Sequence, residues 1–207
     1  MARKKYEFRP DPTGYDVAGK LYLTQQQRRS ILKWVLYSAI CVAGLVLQDS
    51  MLARVRLFGG HFALAPALVI LICVLEGSEG GCGFALGASL CYAFSGSAQG
   101  RYCIIYLTFA AVLAAAFRQS YLRRGPGSDL TCVGLALLCY ELAVFATGVF
   151  LELTYPARWG AAVMTALCST ISAAALYIPV RYAGTIGGNA WKELPVFAPW
   201  RCCWPLP

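Results

Sequence analysis

The chain has 207 residues, 58% of them hydrophobic and 14% charged, with a mean hydropathy of +0.57. A soluble domain carries roughly 25% charged residues, so this composition argues against a water-soluble globule and makes lipid the solvent for most of the chain. The net charge of +8 fits anchoring to anionic lipid, and its scatter at the ends of apolar runs argues against a nucleic-acid role.

Lipid admits only helices or closed barrels, because no water is present to satisfy the backbone. The apolar runs here are apolar on both parities and rich in Leu, Ala and Gly, which selects helices over a barrel. Six candidate spans follow: 31–47, 57–75, 80–94, 102–117, 130–151 and 160–180.

The segment 1–30 is polar, carries Arg3, Lys4, Lys5, Arg9, Lys20, Arg28 and Arg29, and contains no signal-peptide core. It reads as a basic cytoplasmic tail ending in a short helix over 24–33, with Thr24 as its cap. The first span has no small-residue cleavage site before Gln48, Asp49 and Ser50 and is expected to remain as a signal anchor.

In the second span Pro66 falls in the first turns, where a proline is tolerated. Glu76 and Glu79 then bracket a turn of Gly77 and Ser78; they can receive a basic partner or a cation, or lie solvated. The third span is glycine-rich, and Gly83 with Gly87 has the small-xxx-small spacing that lets helix backbones approach. A short, tightly packed or partly broken helix is expected there.

The fourth span offers a second set of small residues, Ala110, Ala111, Ala114 and Ala115. In the fifth, Tyr140 and Glu141 are the intramembrane polar residues. A carboxylate at that depth must be protonated, paired or exposed to a water-filled cavity. It is then either a proton, cation or substrate contact, or a packing acid hydrogen-bonded to a neighbouring helix. The sixth span is an uncharged run of 22 residues, 159–180, between Arg158 and Arg181. A Trp-rich tail, 182–207, completes the chain.

Thirteen Lys and Arg residues fall on the side of the two termini against four on the other, with Lys33 at the boundary of span one. The positive-inside rule then gives six spans, 31–181, with both termini cytoplasmic. Re-entry of 80–94 would place Arg118, Arg123 and Arg124 outside, which the rule disfavours.

Of the ten cysteines, Cys41, Cys73, Cys91, Cys103, Cys132, Cys139 and Cys168 lie inside spans as small apolar residues. There is no CxxC pair, and His61 is the sole histidine, so neither a metal site nor a cofactor is expected. Vicinal Cys202 and Cys203 can bind a metal, take an acyl chain, or be idle thiols in an interfacial tail. No GxSxG, HExxH or P-loop motif is present, no catalytic residue is assigned, and a non-enzymatic role is expected.

The order of the motifs resembles a family. Leu47-Gln48-Asp49-Ser50-Met51-Leu52 leads through Gly59 and Gly60 to Pro66. Leu75-Glu76-Gly77, Gly83-Phe84-Ala85-Leu86-Gly87, Phe94-Ser95-Gly96, Gly100 and Tyr106 follow, with Tyr140-Glu141-Leu142 in span five. This pattern resembles the rod shape-determining protein MreD over roughly 48–151. It departs at Cys91-Tyr92-Ala93, where many members carry an acid.

The resemblance implies a six-helix fold similar to the substrate-binding subunits of energy-coupling-factor vitamin transporters. It also implies a non-enzymatic scaffold of the bacterial plasma membrane, working in peptidoglycan synthesis and cell shape with MreC, MreB, RodA and a class B penicillin-binding protein. Its docking surfaces would be Gly83, Gly87 and Ala88, or Ala110, Ala111, Ala114 and Ala115, beside Glu76 and Glu79. The alternative is a vitamin transporter's substrate-binding subunit, with an outer small-molecule cavity and Asp49, Arg54, Arg101, Glu152 or Tyr155 near its mouth.

Overall fold

The computed structural model describes residues 25–50, 56–57, 59–96, 98, 100, 102–121 and 125–186. Most of both tails, including Cys202 and Cys203, lies outside them, as do Arg54, Arg101, Arg123 and Arg124. In chain order the elements are α1 (Gln25–Ser50), β1 (Arg56–Leu57), β2 (Gly60–His61), α2 (Leu64–Glu76), α3 (Ser78–Phe94), α4 (Cys103–Tyr121) and α5 (Pro126–Phe150). A 3-10 turn (Pro156–Arg158) then precedes α6 (Trp159–Ile186). Among the described residues the protein is an all-helical bundle apart from one two-stranded hairpin, in which Arg56 pairs with His61 and Leu57 with Gly60.

Among the described residues four helices, over Arg28–Ser50, Cys103–Tyr121, Pro126–Phe150 and Pro156–Thr185, are long and apolar enough to cross a membrane. Their outward faces carry exposed Val42, Val46, Phe109, Leu113, Leu135, Ile171 and Ile178. Water would penalise such a surface and acyl chains do not.

At the centre lies α2. Its sequence LAPALVILICVLE has no polar side chain before Glu76, and a helix that is apolar all round belongs in the interior. Every residue from 64 to 75 is buried, and the helix packs against α1, α3, α4, α5 and α6. Both of its ends are satisfied by other elements. The Ala65 N–H donates to Gln48 Oε1 of α1 at 2.8 Å, and the Ala63 N–H to Ser169 Oγ of α6 at 3.1 Å. Pro66, third in the helix, has no N–H to satisfy. At the other end Arg118 Nη1 donates to the Val74 carbonyl at 2.8 Å, and the Gly77 N–H to the Cys73 carbonyl at 2.9 Å.

Three expectations are decided here. The run 57–75 is not one helix: the hairpin occupies its start and α2 begins only at Leu64. The hairpin lies so close to α6 that a Cβ on Gly60 would sit 2.9 Å from the Thr165 backbone nitrogen. Of the two forms expected for the glycine-rich segment, the short, tightly packed helix is found and the partly broken one is not: α3 runs continuously over 17 residues. A single residue, Gly77, joins it to α2 with φ of 90°, a left-handed conformation that a side chain would strain. The helix expected over 24–33 is continuous with the first span, both lying in α1 as far as they are described.

Close packing of α3 on α2 occurs at Gly81, where a Cβ would stand 2.6 Å from Cys73 Sγ and 2.9 Å from Cys73 Cα. Gly83 and Gly87, singled out by their spacing, have nothing within 4 Å of the corresponding position.

Candidate functional site

The bundle has two chemically distinct ends. At one, two carboxylates are each matched to a cation and a phenol. Lys33 Nζ of α1 reaches Glu76 Oε2 at 2.5 Å, and Tyr37 OH donates to Glu76 Oε1 at 2.7 Å. Arg118 Nε of α4 donates to Asp129 Oδ1 of α5 at 2.7 Å, and Tyr177 OH of α6 to Asp129 Oδ2 at 3.0 Å. Both pairs are buried, so each ion needs its partners in place. Glu76 therefore already has an internal cation, while Glu79 is exposed. The Arg118–Asp129 pair was not anticipated; an acid and a base on either side of a short turn between spans was the available signal.

Between α1 and α3 runs an apolar groove of about 290 Å³, lined by Ser38, Cys41, Val42, Leu45, Gly83, Phe84, Gly87, Ala88 and Cys91. The two helices touch only sparsely. They are tied by Phe84, whose ring centroid lies 5.8 Å from Trp34 and 6.3 Å from Tyr37. Beyond this aromatic tie, missing side chains at Gly83 and Gly87 leave the α3 backbone open to the flank of the bundle.

The alanines of α4 behave differently. Ala111, Ala114 and Ala115 are buried in the protein's own core and Ala110 is half-buried. The outward face of α4 carries Ile105, Phe109, Leu113 and Phe117 instead. As a docking surface for another molecule, Ala111, Ala114 and Ala115 are corrected: their burial is spent on packing within the chain.

At the opposite end, near the hairpin, a pocket of about 390 Å³ is lined by Gly59, His61, Tyr102, Glu141, Val144, Phe145, Gly148, Leu153, Thr154, Arg158, Ala161, Ala162 and Thr165. The α5 contribution recurs at intervals of three and four, one face of a helix. Thr165 fixes the hairpin to α6: its Oγ1 accepts from the His61 N–H at 3.3 Å and lies 3.4 Å from His61 Nδ1. Tyr140 is buried and does not line the pocket. Asp49, Glu152 and Tyr155, expected near the mouth of an outer cavity, are exposed and do not line it either. Their place is taken by His61, Arg158 and Thr165, which no local pattern marks.

Among the described residues no group of three or more His, Cys, Asp or Glu side chains is placed to hold a metal ion. No protein-family model, curated protein or solved structure matches the chain.

Proposed function

We propose that the chain is a membrane scaffold of the MreD type. It would span the bacterial plasma membrane six times with both termini cytoplasmic and hold partner transmembrane helices, that of MreC foremost, in the cell-elongation machinery. The observation that carries this reading is the α1–α3 groove. Glycines with open space above them on a lipid-facing flank offer a backbone-deep slot, and helix association in lipid depends on such close packing.

Charge supports the orientation. Arg28, Arg29 and Lys33 stand near the start of α1, and Arg118 and Arg181 share the same end through their contacts with Asp129 and Tyr177. The hairpin end is thereby the outer one. The 13 residues of α2 span about 20 Å, short of a hydrocarbon core of about 30 Å. Its burial within the bundle lets it count as a span, because protein and not lipid surrounds its ends.

Gly83→Leu and Gly87→Leu tests the reading directly. Each is expected to lower MreC recovered with the protein from native membranes by about fivefold or more while leaving the amount inserted unchanged. Undiminished recovery refutes the groove as the docking site. A tightly co-purifying vitamin without MreC would instead identify a substrate-binding subunit of an energy-coupling-factor transporter.

A further inference from the structure

We infer that the pocket at the hairpin end binds a small zwitterion, an amino acid or an aminoalkyl acid, with its ammonium group against Glu141 and its anionic group against Arg158. The inference stands on this pocket alone and is independent of the α1–α3 groove.

Glu141 is 5% exposed and lines the pocket. It lies nine residues inside the end of α5 at Phe150, a depth of about 13 Å. The other two buried acids each hold a cation and a tyrosine hydroxyl, whereas no hydrogen bond or ion pair joins Glu141 to any described residue. A carboxyl group so far from bulk water is costly until a donor reaches it. No described residue supplies one, and the open space beside it admits one from outside.

The second charge of the pocket selects the ligand. Arg158 also lines it but is exposed and forms no ion pair with Glu141. A simple cation is drawn by Glu141 and repelled by Arg158; a simple anion meets the reverse. A molecule carrying both charges satisfies both groups at once, and Val144 and Phe145 provide an apolar wall for the carbon chain between them. The volume of about 390 Å³ falls at the small end of ligand pockets, in keeping with a metabolite of this size.

The test is calorimetric titration of the full chain in lipid discs with β-alanine, γ-aminobutyrate, ε-aminocaproate and L-leucine, alongside butylamine and butyrate as single-charge controls. At least one zwitterion is expected to bind about tenfold or more tighter than either control, and Glu141→Gln to weaken it by about tenfold or more. Arg158→Gln, a substitution at an exposed position that leaves the bundle intact, is expected to do the same, so the test survives if the Glu141 variant fails to fold. Silence from all four zwitterions at millimolar concentration overturns the inference. So does equal binding of butylamine, or undiminished binding by both folded variants. MreC recovery is expected to be unaffected by either variant, which separates failure of this pocket from failure of the scaffold reading.

Discussion

Arg118 and Asp129, eleven residues apart, meet at 2.7 Å between α4 and α5, and the same guanidinium donates to the Val74 carbonyl of α2 at 2.8 Å. One side chain thus closes a buried ion pair and caps the central helix. Asp129→Ala is expected to destabilise the protein by about 3–5 kcal/mol, because it strands a buried cation. The double variant Arg118→Met/Asp129→Leu is expected to recover a large part of that loss, and denaturant unfolding in detergent followed by circular dichroism measures both.

Glycines two residues apart in α3, on opposite sides of the helix, are expected to respond differently. Gly81→Ala forces a methyl group against the Cys73 backbone and sulfur, costing about 1–3 kcal/mol. Gly83→Ala enters open space and stays within about 0.5 kcal/mol of the parent. Thermal unfolding of the isolated variants in one detergent compares them.

The Lys33, Tyr37 and Glu76 cluster joins α1 to the end of α2. A double-mutant cycle on Lys33→Met and Glu76→Gln is expected to give a coupling of about 0.5–3 kcal/mol. Tyr37→Phe alone is expected to cost about 1 kcal/mol. A coupling indistinguishable from zero in unfolding experiments would show that the pair does not fasten α1.

Gln48→Ala removes the acceptor for the Ala65 N–H at the buried start of α2. The expected loss is about 1–3 kcal/mol, with faster hydrogen exchange at the Ala65 amide. Gln48→Glu, which keeps an acceptor oxygen, is expected to retain most of the protection.

Much of the helical architecture is legible in the sequence because lipid forces long apolar runs and places charge at their edges. The hairpin was hidden, since Leu57 to Ala63 carries no Lys, Arg, Asp or Glu and runs without a break into the apolar helix that follows; a tertiary fact, the approach of Gly60 to α6, decides its shape. Spacing also proved blind to direction. Gly83 and Gly87 share a face, but nothing local says that it looks outward while Gly81 looks at Cys73. For α4 the pattern was readable: bulky Ile105, Phe109 and Leu113 recur every fourth residue on the exposed side, leaving the alanines for the interior. Glu141 stands out in its apolar run, yet its pocket does not, because most of the surrounding wall comes from the hairpin, Tyr102 just before α4, the turn after α5, the 3-10 turn and α6.

The enclosure of α2 carries a consequence for biogenesis. This helix leaves the ribosome early, but Arg118 and Ser169, which satisfy its two ends, are synthesised 42 and 93 residues after Glu76. Until α4 and α6 are in place, this 13-residue rod has the Gln48 contact of α1 at its start, but its Ala63 N–H and Val74 carbonyl lack their partners. A chain truncated after α3 is therefore expected to hold α2 less firmly than the full chain, which limited proteolysis of the two would compare.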